Sequence, residues 1–453
     1  MNANKITYDV VIIGAGVSGA AQLYSLAKYS DVKRVLIIEK ESAAGTINSS
    51  PTSNSQTLHE GDIETNYPLE KAKILREKSC FTRAYVEKKG DKNMYFKSPK
   101  MVLGVGSEEC DFLRERFLSL KTLFPTLELL ERDDLRKIEP HVLLSRHEDE
   151  EVISIYNTDG ITINYQVLAT SLISDARAIA EKDIQKEYAI EFDTTIDSIE
   201  RDGDFYILHI QGKEIRARFV SVCTGAHSMY FAKQLKIESV KDLTLLLVAG
   251  NFYFTPKYIT SKIYTVQNPK LPFSAVHGDP DILDTERTHT RFGPTTRVVF
   301  MLERHNYTTV LDFIKIFTPV FKTLLSYART LFNKEFFFYG LKNNALFQIP
   351  FLGNYLFAKE VRKIIPSIKA SEVSLAKGHG GVRPQIMHTN RKDPLSLGEI
   401  KLEDDHILFN VTPSPGASTC IYNGLIDTKK ISEILTCSFD DDSVQNDFGS
   451  SIK

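Results

Sequence analysis

The sequence predicts an α/β fold that begins with a β–α–β unit, and three segments carry this prediction. Asp9 to Ile13 is a short apolar run typical of a buried strand. Val17 to Tyr29 has apolar residues at helical spacing, and Arg34 to Ile38 indicates a second strand. Strand, glycine-rich turn, helix and strand in this order are typical of the start of a Rossmann-type domain. The turn is Gly14-Ala15-Gly16-Val17-Ser18-Gly19.

Further along the chain, three strand-like runs indicate a β-meander. They cover residues 190–200, 204–210 and 214–224, with turns at Gly203 and Gly212. Leu243 to Phe254 and Arg297 to Leu302 indicate more strands, so we expect a substrate domain on a mixed or antiparallel sheet, interleaved with the first domain. The expected parts are 1–80, 151–235 and 376–437 for the nucleotide-binding domain, 81–150 for a mostly helical part, 236–375 for the substrate domain and 438–453 for a disordered tail.

The composition excludes several classes of protein. A net charge of -2 over 453 residues gives no global field that would favour nucleic acid. The five cysteines are odd in number and form no CxxC pair, which argues against disulfides and zinc and is typical of a reducing compartment. The histidines show no HxxxH or HExxH spacing, so we expect no metal. No uncharged apolar run approaches the ~20 residues that span a bilayer.

The glycine-rich turn predicts a dinucleotide site. Its glycines permit the tight turn, close approach of the backbone to a pyrophosphate, and close packing of helix on strand. The N-terminus of the helix offers N–H groups and positive dipole charge to the phosphates. Glu39 ends the second strand, where an acid can bind ribose hydroxyls, and Lys40 follows it. A glycine pattern alone would indicate only a turn; the complete unit is much more specific.

Two features favour FAD over NAD. The unit lies at the extreme N-terminus, and the meander ends in a strand that runs into Thr224-Gly225-Ala226. This layout resembles FAD proteins of the glutathione-reductase and D-amino-acid-oxidase type. Because no second G-x-G-x-x-G follows, we expect no separate NAD domain, and the reductant should be the organic substrate itself.

Several longer blocks resemble malate:quinone oxidoreductases in their shorter bacterial form, from the N-terminus to about Leu435. The blocks are residues 53–67, 100–106, 264–280, 381–385 and 412–420. L-2-hydroxyglutarate dehydrogenases have similar motifs. The resemblance implies FAD, oxidation of (S)-malate to oxaloacetate, electron transfer to membrane quinone, and a cytoplasmic protein bound peripherally to the inner face of the membrane. The alternatives are oxidation of another 2-hydroxy acid, such as L-2-hydroxyglutarate, and a flavin-binding protein without turnover.

Oxidation of a 2-hydroxy acid by a flavin needs a base and cations for carboxylates. His277 is the first candidate base, since the resemblance places a histidine of this loop opposite the flavin; a structural contact with Asp279 is the alternative. His59 is the second candidate. Arg383, flanked by glycines, is the candidate for one substrate carboxylate, because arginine binds carboxylates with two parallel hydrogen bonds. For the second carboxylate the candidates are Lys377, His379 and Arg291.

Other segments are expected to line the flavin. The turn before the last helix could present N–H groups to the pyrimidine edge of the ring, or Ser418 could simply cap that helix. Outside the first turn, the expected cofactor contacts are Asn54, Ser55, Gln56, Thr224, Gly225, Gly381, Gly416, Ala417 and Ser418.

Residues 304–369 are aromatic and basic, with ten Lys or Arg against three Asp or Glu. Large apolar residues recur there at helical spacing, and three cations lie a heptad apart, which predicts an amphipathic helix. We expect residues 317–339 to contact an anionic membrane surface, the alternative being a helix packed on the core. The apolar residues are Phe313, Phe317, Phe321, Leu324 and Leu325, followed by Phe336 to Tyr339; the cations are Lys315, Lys322 and Arg329.

Overall fold

The computed structural model describes residues 7–267, 275–332, 342–349, 351–396, 400–411 and 415–449. None of the helices in these ranges has the length and apolar character needed to cross a membrane. The strands are β1 (Thr7–Ile13), β2 (Arg34–Ile38), β3 (Tyr95–Lys97), β4 (Lys100–Val105), β5 (Leu127–Leu130), β6 (Val152–Asn157), β7 (Ile161–Ile163), β8 (Glu187–Glu191), β9 (Ser198–Asp202), β10 (Phe205–Ile210), β11 (Lys213–Val222), β12 (Leu243–Ala249), β13 (Tyr253–Pro256), β14 (Lys262–Thr265), β15 (His277–Asp279), β16 (His289–Gly293), β17 (Arg297–Val299), β18 (Ser374–Leu375), β19 (Val382–His388), β20 (Leu395–Ser396), β21 (Ile400–Asp404) and β22 (Ile407–Val411).

The α-helices connect these strands and cover the sheets. They are α1 (Val17–Tyr29), α2 (Leu69–Lys89), α3 (Ser107–Lys121), α4 (Arg132–Ile138), α5 (Tyr165–Ala180), α6 (His227–Gln234), α7 (Thr309–Lys315), α8 (Val320–Leu331), α9 (Leu352–Val361), α10 (Cys420–Leu435) and α11 (Asp441–Phe448). Short 3-10 helices lie at Pro140–Val142, Glu238–Val240, Leu346–Gln348 and Ala370–Glu372.

The first sheet has the strand order β21-β22-β11-β1-β2-β8. Its central strands are parallel: β1 pairs with β2 and β11, β2 with β8, and β11 with β22. The antiparallel strands β9 and β10 extend from β11 as the expected meander. Because helices and the meander cover the two faces, the interior of β1 is apolar throughout, as is usual for parallel strands. The predicted Rossmann-type domain is confirmed.

Helix α1 packs between α5 and α10 against this sheet. The contact with α10 depends on Gly424, where a Cβ atom would lie 2.8 Å from the carbonyl carbon of Ala21. Helix α5 begins at Asn164, whose side chain accepts hydrogen bonds from the N–H groups of Gln166 and Val167. This packing fixes the N-terminus of α1 relative to β1, which matters for the cofactor site.

Two further sheets form the second part of the molecule. One is antiparallel, with the order β17-β12-β19-β20, and the other has the order β18-β13-β16-β15-β14-β4-β6-β5. In the second sheet only β4 and β14 pair in parallel. Its strands come from both before and after the meander, so the predicted mixed sheet, interleaved along the chain with the Rossmann-type domain, is confirmed.

Two predicted strands are each divided in the structure. Residues 190–200 contribute to β8, which pairs with β2, and to β9 in the meander, with Asp193 between them at positive φ. Residues 243–254 contribute to β12 and β13 in different sheets, and the chain turns at Gly250. Apolar periodicity continued across both turns, so the sequence pattern alone did not mark them.

The predicted disordered tail is wrong for Asp441–Phe448, which form helix α11. The side chain of Asp440 caps it by accepting a hydrogen bond from the N–H of Ser443. Val444 is fully buried, and the ring of Phe448 packs against Phe81 with 5.0 Å between ring centroids. The acidic composition of the segment indicated disorder, although its two apolar side chains, Val444 and Phe448, are enough to pack it against the rest of the protein.

The predicted amphipathic helix is also different in the structure. Helices α7 and α8 are separate elements, because α7 ends at Lys315 and α8 begins after Pro319. Phe336 to Tyr339 lie outside the described residues. Phe313 is buried in the core and Phe317 packs against it, so neither belongs to an outward face.

Candidate active site

A cavity of about 730 Å³ lies where the carboxyl ends of β1, β2 and β11 meet the second part of the molecule. Its size is within the range of cofactor and ligand sites in proteins. It is lined by both parts of the chain. Most of the predicted site residues line it: Gly14, Gly16, Val17, Ser18, Glu39, Lys40, Asn54, Ser55, His59, Thr224, Gly225, His277, Gly381, Arg383, Ala417 and Ser418.

The three glycines of the first turn have different surroundings. Gly14 has φ +99°, and a Cβ atom there would lie 2.7 Å from the carbonyl oxygen of Cys223. A Cβ atom at Gly19 would lie 2.0 Å from the carbonyl oxygen of Gly14. At Gly16 the nearest atom would be Oγ of Ser49, at an ordinary 3.4 Å. Gly14 and Gly19 are therefore required by the fold, whereas Gly16 leaves open space on the cavity side.

These residues fit a dinucleotide. Gly16 is the N-cap of α1 and has no side chain, and the N–H of Val17 in the first turn donates a hydrogen bond of 3.1 Å to Oγ of Ser49. Glu39 accepts a hydrogen bond of 2.8 Å from the N–H of Ala15, which holds its carboxylate beside the turn. Burial raises the pKa of Glu39. A turn without side chains, a helix N-terminus that borders the cavity and a positioned acid match pyrophosphate and ribose.

Four predicted cofactor residues support the cavity wall from behind. Ala15 and Gly19 belong to the turn itself. Gln56 is fully buried and donates a hydrogen bond of 2.6 Å to Asp281, which ties the 51–56 loop to the segment that follows β15. Gly416 is buried below Ala417. These residues shape the site without lining it.

The turn before α10 is close to His59. Ser418 accepts a hydrogen bond of 2.9 Å from the His59 N–H and lies 3.2 Å from the hydroxyl of Tyr165. The first residue outside α10 is Thr419, and no side chain caps the helix. Ser418 therefore links the turn to the 55–59 loop, which is a different role from the helix cap considered as the alternative. Thr412 to Ser414 lie outside the described residues.

Both candidate bases line the cavity, and each is paired with a carboxylate. Nδ1 of His277 lies 2.9 Å from Oδ2 of Asp279, and Nδ1 of His59 lies 2.6 Å from Oε1 of Glu64. The His277 ring is buried beside the Tyr264 ring, with 4.8 Å between centroids. Burial lowers the pKa of His277 more than Asp279 raises it. His277 is therefore neutral at neutral pH, as a proton acceptor must be.

Arg383 is a cation with no hydrogen-bond or ion-pair partner among the described residues. It lies on β19 opposite Val248 of β12, and it lines the cavity. Within the described part of the chain its guanidinium has no hydrogen bond and no ion pair. Burial lowers the pKa of Arg383, with only Tyr67 and Tyr264 acting in the opposite direction. Because an enclosed charge without a partner is costly, this position calls for an anionic ligand.

The three candidates for a second carboxylate do not line the cavity. Lys377 is exposed, and His379 packs edge to face on Phe254 with 5.1 Å between centroids. Arg291 is fully buried and donates hydrogen bonds of 3.0 and 3.1 Å to the carbonyl oxygens of Pro51 and Asn54. Arg291 thus supports the loop that lines the cavity.

Sequence reasoning missed several residues that hold this site together. Lys262 and Glu64 lie behind the two histidines, and the Asn48 side chain accepts a hydrogen bond of 3.3 Å from the N–H of Val382, next to Arg383. The signal for Lys262 was a lysine within an apolar strand run, since lysine is rarely buried without a partner. Asn48 gave no such signal.

Comparison with known proteins identifies the family to which the chain belongs. The family model for malate:quinone oxidoreductase (Mqo) matches residues 6–428. The chain belongs to the malate:quinone oxidoreductase family. A probable malate:quinone oxidoreductase of Campylobacter jejuni is 38% identical over 97% of this chain and 98% of that protein. The malate:quinone oxidoreductase of Helicobacter pylori strain 26695 is 39% identical over 96% of each chain.

The fold of this malate:quinone oxidoreductase family member is also found among solved structures. The L-α-glycerophosphate oxidase of Mycoplasma pneumoniae, solved with FAD bound, matches with a TM-score of 0.64 and 14% identity, covering 96% of each chain. At this identity the likeness concerns the fold alone. The family predicted from residues 53–67, 100–106 and the later blocks is confirmed.

Proposed function

We propose that this malate:quinone oxidoreductase family member oxidises (S)-malate to oxaloacetate with FAD and passes the electrons to membrane quinone. One observation carries the proposal: in the cavity with the dinucleotide turn, a histidine–carboxylate pair and an arginine without a partner lie together. Oxidation of a 2-hydroxy acid needs this combination of a base and a carboxylate-binding cation.

FAD held by the glycine turn and Glu39 would supply the hydride acceptor for the substrate carbon. His277 takes the hydroxyl proton. Nδ1 lies 2.9 Å from the Asp279 carboxylate, whose negative charge favours the neutral tautomer with its proton on Nδ1, and this tautomer leaves Nε2 as the proton acceptor. Arg383 binds a substrate carboxylate and thereby fixes the distance and angle of the hydroxyl relative to His277. His59, with Ser418 and Ser55, borders the same cavity and orders its wall.

The decisive assay compares 2-hydroxy acids at a common acceptor. We expect kcat/KM of the purified, FAD-loaded protein with a quinone analogue to be highest for (S)-malate among malate, L-2-hydroxyglutarate and lactate. A preference for L-2-hydroxyglutarate would replace malate as the substrate. Absence of turnover with every acid, in protein that holds FAD, would support the non-catalytic alternative.

Replacing Arg383 with alanine is expected to raise the KM for malate about 10²–10³-fold, because a buried charge-assisted contact with the substrate is lost. Arg383→Lys keeps the positive charge but not the planar guanidinium, so its KM for malate should lie between that of the wild type and that of Arg383→Ala. Steady-state kinetics with a soluble dye acceptor and the FAD content of each variant provide the measurement. An unchanged KM in Arg383→Ala would mean that the substrate carboxylate binds elsewhere.

We further propose that α7 and α8 bind the inner face of the cytoplasmic membrane. The polarity of helix α8 is inverted, since polar side chains face inward and apolar side chains face outward. Its inward face carries Thr323, Ser326, Tyr327 and Thr330, all buried, whereas large apolar side chains point outward. We define the docking surface as the exposed residues Leu311, Ile314, Val320, Phe321, Leu324, Leu325 and Phe332.

Three of the four inward polar groups of α8 make hydrogen bonds, whereas Oγ1 of Thr323 is buried without a partner among the described residues. Ser326 and Thr330 each donate a hydrogen bond of 3.0 Å to a carbonyl oxygen one turn earlier, and the Tyr327 hydroxyl donates to the carbonyl oxygen of Leu245. Burial of the helix in the core therefore does not explain why the apolar side chains face outward. A surface of this kind is typical of a contact with a partner or a membrane.

The charges beside the docking surface and the position of this surface favour a membrane over a protein partner. Lys315, Lys322 and Arg329 flank the docking surface and are exposed, which suits anionic lipid. Thr309 and Asp312 of α7 also line the cavity, so the docking surface adjoins the cofactor site. A quinone confined to the bilayer could therefore reach the flavin from this side.

Changing Phe321 and Leu324 to serine is expected to weaken binding to anionic vesicles, because the two side chains are 80% and 54% exposed at the centre of the docking surface. Reduction of a soluble dye by malate should stay at the wild-type rate. The matched control is Leu118→Ser with Ile184→Ser, two side chains that are at least as exposed but lie outside this surface. Vesicle co-sedimentation measures the effect, at low and high salt.

A second variant tests the charge contribution. Changing Lys315, Lys322 and Arg329 to glutamate should weaken the binding at low salt, where charge attraction is least screened. If both variants sediment with vesicles as the wild type does, these helices are not the membrane contact.

A further inference from the structure

Behind His277 lies a buried cluster of charges. The carboxylate of Asp279 contacts three groups: Nδ1 of His277 at 2.9 Å, Nζ of Lys262 at 3.3 Å and Nη2 of Arg291 at 3.4 Å. The side chains of Lys262, Asp279 and Arg291 are fully buried. The Asp279 carboxylate is thus shared by a histidine, a lysine and an arginine.

The sheet register creates this cluster. His277 and Asp279 lie two residues apart on β15, and therefore on the same face. The neighbouring strand β14 pairs Tyr264 with His277, and β16 pairs Arg291 with Asp279. Tyr264, Lys262, Arg291 and Asp279 are thus the titratable groups that face the imidazole from the strands packed around it.

The two cations also fix the cavity wall. Lys262 donates a hydrogen bond of 2.8 Å to the carbonyl oxygen of Ser55, and Arg291 donates to those of Pro51 and Asn54. The loop from Pro51 to Ser55 therefore cannot move independently of the charge cluster. The cluster connects the position of the base with the position of the loop beside the flavin site.

We infer that Asp279 and Lys262 are positioning residues for the proposed malate oxidation: Asp279 fixes the tautomer of His277, and Lys262, with Arg291, keeps the imidazole neutral until substrate is bound. The inference rests on the proposed function. The net charge around the ring is positive when both cations are protonated, which opposes formation of an imidazolium. Asp279 acts in the opposite direction, and its carboxylate, 2.9 Å from Nδ1, favours the tautomer that carries the proton on Nδ1.

The protonation equilibria agree with this arrangement. Burial lowers the pKa of His277, Asp279 raises it, and Lys262 and Arg291 lower it further. Burial and then Arg291 together lower the pKa of Lys262 to about 8, against the opposing effect of Asp279. The Tyr264 hydroxyl is neutral, since burial raises its pKa well above the usual range.

The test is the pH dependence of kcat, measured with malate and a soluble dye acceptor. Loss of the negative charge in Asp279→Asn lowers the imidazole pKa, so the rising limb of the profile should move to lower pH by roughly one unit or more. The plateau should fall about 10²-fold or more, because the tautomer is no longer fixed. Loss of the positive charge in Lys262→Met raises the imidazole pKa, so the limb should move to higher pH.

Controls separate positioning from general damage to the core. Asp427 and Lys401 form another acid–lysine pair, partly buried and outside the cavity, at 2.5 Å. Asp427→Asn and Lys401→Met should leave the pH profile where it is in the wild type. Lys262→Arg keeps the charge and should restore the wild-type limb. FAD content and melting temperature are recorded for every variant.

The inference is supported if the rising limb moves to lower pH in Asp279→Asn and to higher pH in Lys262→Met. A general structural defect would not move the limb in a direction that depends on the sign of the charge removed. Limbs that stay in place, or that move in the same direction, overturn it. If Asp279→Asn does not retain FAD, Lys262→Met compared with Lys262→Arg decides alone. A wild type without malate turnover would instead refute the proposed function.

Discussion

Replacing His277 with alanine is expected to lower kcat for malate roughly 10²–10⁴-fold, since the group that takes the hydroxyl proton is removed. FAD should be retained, because the imidazole contacts Asp279 and the Tyr264 ring, not the dinucleotide turn. The KM for malate should change much less than in Arg383→Ala. Rapid mixing of the FAD-loaded variant with malate, followed by flavin absorbance, measures the reductive step directly.

His59→Ala is the matched control for this variant. His59 also lines the cavity and is also paired with a carboxylate, Glu64. We expect it to retain most of the reductive rate, because its ring is additionally engaged by Ser55 at 3.3 Å. A near-normal rate in His277→Ala with a large loss in His59→Ala would exchange the roles of the two histidines.

Replacing Gly16 with valine is expected to abolish FAD binding while the fold is retained. A Cβ atom at this position would meet only Oγ of Ser49, at 3.4 Å, and the backbone has an ordinary φ of -66°. The remaining atoms of valine would occupy the space that the pyrophosphate needs. The purified variant should be colourless and should have no malate activity.

Gly16→Ala provides the graded control, because a single methyl group should weaken FAD binding less than valine does. Flavin absorbance and FAD released on denaturation give the cofactor content, and circular dichroism reports the fold. A yellow Gly16→Val protein with wild-type FAD content would show that the pyrophosphate lies elsewhere. Gly14→Val is unsuitable for this purpose, since its side chain would collide with the backbone at Cys223.

Local signals were enough to bring the predicted cofactor residues of the first turn and the meander to one cavity. The glycine turn, Glu39 and Thr224-Gly225 are defined by their spacing within single supersecondary units, so their sequence pattern is enough to place them. That His277, His59 and Arg383 converge on one cavity followed only from the family resemblance. They lie on a strand, a loop and another strand that are far apart in the chain, and no spacing rule connects them.

The unsuccessful expectations share a cause. Arg291, Lys377 and His379 are near the site in sequence, but the face of the sheet to which a side chain points depends on strand register. Arg291 points away from the cavity, into the charge cluster. The amphipathic helix was predicted as one element from helical spacing alone, but Phe313 and Phe317 lie before Pro319, outside α8, and pack in the core.

The inverted polarity of α8 has a consequence for the protein in solution. Without lipid, the docking surface presents seven large apolar side chains to water, and burying them between copies of the chain would be favourable. We therefore expect the molar mass in detergent-free buffer to increase with protein concentration. Mild detergent should reduce it to that of a single chain, and so should the changes Phe321→Ser and Leu324→Ser, which makes this double variant the better choice for crystallisation.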